Sequence, residues 1–436
     1  MRKILALLLT GTMLCTLGGC GQKQEAAPAA TGATEAKVQE TTAKAAASAQ
    51  TDGKQEIEVM MYASGQTQEL DDAIYNVIDQ FTADTGIKVT LSMPGEGYEE
   101  LLKTRMASND LPDVFCTHGW AVVRYGEYLL PLNDQGWSDN ISSAIKSVIT
   151  DEQGNILVLP STHVLSGIDV NYDVLAEAGV DPAGILTWAD FEDACEKVQA
   201  IGKTPISMGG KESWTAAQIF QGVCNSTLTK EDKAAIADGT FDWNVVTPIC
   251  ERYVDWVDRG FFNVEVLTAD YNTCCQMLAS GDAAFVFSNT GALSQGWSYY
   301  PEANLGVIPM PSNDPAVAPI GVAGEQLSWG IWKDSDHIEA ARTLLDYLAR
   351  PEHTKMFAEA MMSPAGMSDA DYDLGTLTED IKKLASYETQ PIWDRTLPSG
   401  MFNDLSTVAQ SILAKESDAV AKGIKTFSDS YKEKME

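Results

Sequence analysis

The residues best equipped to do chemistry in this chain are aromatic rings set beside polar side chains in segments that read as loops. Of the 10 Trp, Trp120 stands in Thr117-His118-Gly119-Trp120 and Trp214 ends the Gly-rich stretch Gly209-Gly210-Lys211-Glu212-Ser213-Trp214. Trp297 follows Asn289-Thr290-Gly291, Trp329 follows Gly324-Glu325-Gln326, and Trp393 lies between Pro391 and Asp394-Arg395. An indole in a loop offers a flat apolar plate. Carboxylates, amides and guanidiniums beside it offer planar hydrogen-bonding groups, so the combination suits holding a small ligand. For the polar rim the sequence favours Glu325 and Gln326, then Asp394, Arg395 and Asn289. His118, His163, Glu96 in Pro94-Gly95-Glu96-Gly97, and Gln66 or Glu69 are further candidates. Trp297 and Trp329 fit packing roles better.

Catalytic equipment is harder to find. No G-x-S-x-G, H-E-x-x-H, P-loop or G-x-G-x-x-G pattern occurs in a supporting context. A secreted glycosidase would need one pair of carboxylates set apart by environment. With 62 acidic side chains, chance pairs are inevitable and none stands out. A Cys–His nucleophilic pair has no motif behind it. Asp369 to Asp380 imitates a calcium loop, but Leu374 occupies the position that needs Gly and Asp380 the one that needs Glu, so an acidic surface loop is expected. The 62 acidic groups face 30 basic ones, a net charge of -32, which repels phosphate backbones and anionic headgroups and excludes a nucleic-acid partner. The sequence therefore predicts no enzyme, no cofactor and no metal.

The elements that must position these residues follow an α/β pattern from Ile57 onward. Ile57 to Tyr62 reads as a strand, and Leu70, Ile74, Val77, Ile78 and Phe81 recur at helical spacing before Gly86. Ile87 to Leu91 then reads as a second strand, which makes a strand–helix–strand unit suited to a parallel sheet. A helix is predicted over 98–107 and a buried strand at Pro112 to Phe115. Thr187-Trp188-Ala189-Asp190 forms a capping box. Asp336, with Glu339 three residues on, is expected to cap another helix. Ala284 to Phe287 and Gly306 to Ile308 read as strands.

The first residues read as an address. Arg2-Lys3, the apolar run Ile4 to Leu17 and the exit Leu17-Gly18-Gly19-Cys20 have the form of a secretory signal too short to span a bilayer. Residues 21–56 hold almost nothing large and apolar, which predicts a disordered tether. Removal of residues 1–19 would take away Arg2 and Lys3 and move the net charge from -32 to -34. Six cysteines remain beyond Cys20, namely Cys116, Cys195, Cys224, Cys250, Cys274 and Cys275. An even number in an exported chain permits disulfides, although their apolar contexts suit buried thiols better.

Seven segments, in order, carry a family resemblance. They are Phe81 to Val89; Pro112 to Phe115; Leu129 to Leu132; Val170 to Leu175 with Gly179; Thr187 to Phe191; Ser280 to Phe285; and Glu339-Ala340-Ala341 to Tyr347-Leu348. Together they resemble the sugar-binding family of extracellular solute-binding proteins that serve bacterial ABC importers, the family of the maltose-binding protein. The tetrad ending in Cys20 resembles a lipobox, with Gly18 less usual than Ser or Ala at its place.

The resemblance implies a two-lobe, periplasmic-binding-protein-like α/β fold with hinge strands and a ligand cleft between the lobes. By its pattern the N-lobe is 57–163 plus 290–350 and the C-lobe 164–289 plus 351–436, with crossings near 163–166, 287–289 and 350–351. It implies that a carbohydrate is clamped in the cleft with Trp214 and Trp393 as sugar plates, beside which the loop position of Trp120 makes it a further candidate, and that the loaded protein meets an ABC permease. It also implies cleavage before Cys20, lipidation of that Cys as the only membrane attachment, an extracytoplasmic location and a monomer. A secreted hydrolase, a binding protein for a non-sugar solute and a purely structural surface lipoprotein are the competing classes.

Overall fold

The computed structural model describes residues 56–62, 68–288, 290–398 and 400–435, with Glu96 described by its backbone alone. The signal, Cys20, most of the tether, Gln66 and Asn289 lie outside the described residues.

In the first strand, Glu56–Met60, alternation buries Ile57 and Val59. The helix Gln68–Thr85 then buries Leu70, Ala73, Ile74, Val77, Ile78 and Phe81 on one face, the spacing that predicted it. Gly86, at φ +74°, lets the chain leave the helix through the left-handed region, and Lys88–Ser92 returns parallel to the first strand. These strands belong to a five-stranded sheet in the order Lys88–Ser92, Glu56–Met60, Val114–Phe115, Ser328–Ile331, Leu159–Pro160. Its first three strands are parallel and Ser328–Ile331 runs against both its neighbours.

A second sheet has the order Thr204–Ile206, Ala283–Val286, Ile168–Asn171, Leu305–Ile308. A third, of three strands, sets Gly321–Glu325 between Thr389–Pro391, parallel to it, and His163–Ser166, antiparallel.

Two large apolar cores match the first two sheets. One gathers residues from Ile57 to Leu159, together with Leu327, Trp329, Ile331, the helix Ile338–Leu348, Phe357, Met361 and Met367. The other runs from Ile168 through Met310 and Val322 and closes with Trp393 and the two C-terminal helices, Met401–Leu413 and Ala419–Met435. A smaller cluster sets Cys274, Cys275, Leu293, Leu305 and Val307 against Leu374, Leu377 and Ile381.

This division differs from the expected lobe bounds. Ala292, Leu293, Leu305 and Val307 pack with the second-lobe side, whereas the sequence placed 290–350 in the N-lobe. The cause is the antiparallel pairing of Leu305–Ile308 with Ile168–Asn171, a contact across more than a hundred residues that local pattern does not carry. The chain accordingly returns to the first core between Val322 and Leu327, not near 287–289, and leaves it between Met367 and Leu374, not near 350–351.

The Thr187–Asp190 capping box forms, with each side chain bonded to the other residue's backbone N–H. The expected Asp336 cap does not. His337 takes the N-cap position without a side-chain cap bond, and Ser335 Oγ accepts from its N–H at 2.9 Å. All six described cysteines are buried free thiols. Among the described residues no helix is long and apolar enough to cross a membrane.

Candidate functional site

A cavity of about 450 Å³ opens where the two large cores meet along the three-stranded sheet. Its volume falls in the range of small-molecule sites. Tyr62, His118, Trp120, Glu325, Gln326 and Met361 line it from the first side. Trp214, Gln218, Gln221, Tyr271, Phe287, Met310 and Phe402 line it from the second, and Val164, Ser166 and Val322 form part of its wall on the crossing strands.

The second-side wall begins with the helix Ser213–Thr227. Trp214, Gln218 and Gln221 are spaced by four and then three residues, so one helix face presents an aromatic plate and two amides. Trp214 is half-buried and tilted against Tyr271, with ring centroids 5.0 Å apart. Next to Gln221, Gly222 leaves room for Met310, whose Sδ would lie 2.9 Å from a Cβ there. Gln221 Oε1 accepts from the Asp394 N–H at 2.9 Å and holds the Trp393–Thr396 turn on this helix.

The polar rim is dense. Glu325 ends the central strand of the three-stranded sheet and is 3% exposed. Its Oε1 accepts from the Thr117 and Ser328 hydroxyls, and its Oε2 from the Ala121 N–H at 3.3 Å. Beside it, Gln326 Oε1 is buried and finds no donor within the protein. The same is true of Asp394 Oδ1 and, as donors, of Arg395 Nε and Nη1. Burial holds the Arg395 guanidinium below its ordinary pKa, although the carboxylates of Asp394 and Glu325 oppose this. Unpaired buried polar groups on a cavity wall cost stability unless a ligand satisfies them, so this rim is built for a ligand with both donors and acceptors.

His118 sits at φ +46° with its ring stacked on Tyr62, centroids 3.8 Å apart. Burial and the Arg395 charge lower its pKa, against an opposing pull from Glu99, which keeps the ring neutral at pH 7. Glu99 binds Arg124 at 2.7 Å and Tyr125 at 3.1 Å. Burial raises its pKa, but His118, Arg124 and Tyr125 outweigh that and leave it lowered.

Of the residues singled out in sequence, the cavity brings together Trp214, Trp120, His118, Glu325, Gln326, Asp394 and Arg395. Trp393 is corrected: it is 1% exposed, packs toward Trp243 in the second core and does not reach the cavity. His163 is also corrected. It is buried in its strand away from the cavity, and burial pushes its pKa down to about 4. Glu69 is exposed in the first turn of its helix. Glu96 lies in the turn Gly95–Gly97, its side chain outside the described residues, as is all of Asn289.

Trp329 and Trp297 are packing residues that donate to Ser161 Oγ and the Ala303 carbonyl. The calcium-like run does not converge. Asp369 accepts from Asn140, Asp373 from the Gly375 N–H, and Asp380 from Tyr172 and the Val307 N–H. No cluster of metal-ligating side chains occurs among the described residues.

Sequence reasoning missed Tyr62, Gln218, Gln221, Tyr271, Phe287 and Met310. Gln218 and Gln221 were within reach, because they share the helix face of Trp214. The others join the site through sheet and helix pairings remote in sequence.

Two lobes with separate cores, three crossing segments and a lined cavity between them define a solute-binding protein. Residues 64–355 match the family model of bacterial extracellular solute-binding proteins, and the chain belongs to that family. It is a binding protein, not an enzyme. It is 30% identical over 337 residues to the melibiose/raffinose/stachyose-binding protein of Bacillus subtilis (strain 168), covering 75% of this chain and 78% of that protein. It is 20% identical to the multiple sugar-binding protein of Streptococcus mutans, over 83% of this chain and 88% of that one. Its fold superposes with a TM-score of 0.78 on a sugar transporter protein of Bacillus licheniformis solved in complex with stachyose, at 27% identity and covering 86% of this chain and 100% of that chain.

Proposed function

We propose that the carbohydrate bound by this ABC-importer component is a neutral oligosaccharide of the melibiose, raffinose and stachyose type. The observation that carries this is the pairing of the Trp214–Tyr271 wall with a rim of buried polar atoms on Gln326, Asp394 and Arg395 that make no hydrogen bond within the protein. A pyranose offers a C–H face to the first and hydroxyls that both donate and accept to the second. The charge count disfavours an anionic solute. Three carboxylates, Glu325, Asp394 and Glu99, face two guanidiniums, Arg395 and Arg124, with His118 neutral. The names of the Bacillus relatives support the oligosaccharide class.

Trp214 serves as the sugar plate, and Asp394, Arg395, Gln326 and Glu325 form or support the hydroxyl rim. Closure of the lobes about the three crossing segments completes the site. The chain is exported, cleaved before Cys20, held to the outer face of the membrane by lipid on that Cys, and works as a monomer that hands its solute to an ABC permease. Support for the anchor is the run from Arg2-Lys3 to Cys20 alone.

A thermal-shift screen of the mature protein against mono-, di-, tri- and tetrasaccharides tests the ligand class. Raffinose, stachyose or melibiose is expected to raise Tm more than any monosaccharide. Stabilisation by an amino acid or polyamine and by no carbohydrate would refute the assignment. For the anchor, intact-mass spectrometry is expected to show a diacylated N-terminal Cys20, abolished by Cys20→Ala.

A further inference from the structure

Trp120 lines the cavity, yet neither face of its ring is open. The guanidinium carbon of Arg124 lies 4.0 Å from the ring centroid and that of Arg395 lies 3.2 Å from it. Two guanidiniums cannot share one face at these distances, so each covers its own. Arg124 is local to Trp120 and anchored by Glu99. Arg395 comes from the other lobe, two residues after the core residue Trp393, on the turn that Gln221 holds. Gly119 makes the approach possible: at φ +94°, a Cβ there would meet Arg395 Nε at 2.8 Å and Cζ at 2.9 Å. A stacked guanidinium keeps its plane but loses none of its in-plane donors. Nε and Nη1 make no hydrogen bond within the protein, Nη1 having only the Asp394 carboxylate at 3.6 Å, on a side chain only 17% exposed beside the cavity it lines.

We infer that Trp120 is not a sugar plate but the stacking base that positions Arg395, so that Nε and Nη1 donate to ligand oxygens while the stack joins the two lobes. This rests on the carbohydrate assignment above. It gives Trp120 a positioning role and Arg395 the direct contact.

The test is a double-mutant cycle in stachyose affinity, read by calorimetry on the mature protein. Trp120→Leu and Arg395→Lys each remove the stack, the latter keeping the charge but losing the planar fork. Each is expected to weaken binding about tenfold, and the double variant also about tenfold, because one interaction has been removed twice. Trp120→Phe, which keeps an aromatic face, is expected to stay within about threefold of wild type. Losses that multiply toward a hundredfold, or a loss with Trp120→Leu alone while Arg395→Lys binds normally, would restore Trp120 as an independent plate.

A readout that needs no sugar accompanies the cycle. The Arg395 Nε–H resonance should be shifted upfield by the indole ring current and return toward the ordinary position in Trp120→Leu. An unmoved resonance overturns the stack whatever the affinities show. Wild type that binds neither stachyose, raffinose nor melibiose counts against the carbohydrate assignment and the positioning role, while a moved resonance still shows the stack itself.

Discussion

Trp214 and Trp393 look alike in sequence, each an indole beside polar residues near a turn, and they should respond in opposite ways to truncation. Trp214 is half-buried on the cavity wall. Trp214→Ala is expected to leave the denaturation midpoint nearly unchanged and to cost about 2 kcal/mol of sugar affinity, roughly thirtyfold in Kd. Trp393 is sealed in the second core. Trp393→Ala is expected to cost about 3–5 kcal/mol in urea unfolding, the range for emptying a large aromatic site. Equal effects of the two on affinity at matched stability would put Trp393 back in the site. What separates them is that Trp243, from the turn Trp243–Val246, packs against Trp393 with ring centroids 6.2 Å apart and is itself held by Phe427 of the C-terminal helix. Such pairing is invisible at the level of local sequence.

Asp169 is another residue whose behaviour depends on surroundings that no motif announces. It is fully buried, neither carboxyl oxygen has a partner within the protein, and burial together with nearby Cys274 pushes its pKa well above the usual carboxylate range. The folded state therefore holds a proton that the unfolded chain releases. That contribution favours folding least once pH has risen past the unfolded value, so stability falls with rising pH across the window between the two. Asp169→Asn removes the dependence. Its advantage over wild type should be small near pH 4 and grow by about 1.4 kcal/mol per pH unit until the folded carboxyl ionises, as read from urea midpoints across pH. A constant difference from pH 4 to 7 would contradict the burial argument.

At the scale of elements, local signals were readable wherever the chemistry is local. The capping box at Thr187 is one, and Thr187→Ala should lower unfolding free energy by about 1 kcal/mol in urea titration, with sugar affinity unaffected. The helix Gln68–Thr85 and its flanking strands were likewise legible from spacing. The Asp336 cap failed because Ser335, not Asp336, meets the backbone at His337, and Ser335 is itself tied to Asp113 across the fold. The second and third crossings were not legible. The strand Leu305–Ile308 has the composition for either lobe, and its partner Ile168–Asn171 decides. The helix Ser213–Thr227 shows how much of the site an element can carry: Trp214 was found by its indole, whereas Gln218 and Gln221 needed the further step of asking what shares its face.

For the whole molecule, the two cores, the three crossing segments and the cavity they border give a body suited to hinge closure. Fold class and family were legible because seven weak segments occur in family order, and each tolerates variation alone. The proposed oligosaccharide preference was not, because it rests on side chains drawn to one place from both lobes. Small-angle scattering is expected to show a smaller radius of gyration with saturating stachyose than without. The most direct measurement is isothermal titration of the mature protein with stachyose and raffinose, beside Trp214→Ala and Asp394→Asn. Saturable one-site binding in wild type, weakened at least tenfold in both variants, is the expected result. No heat with any neutral oligosaccharide, or affinities indifferent to both substitutions, would contradict a sugar site in this cavity.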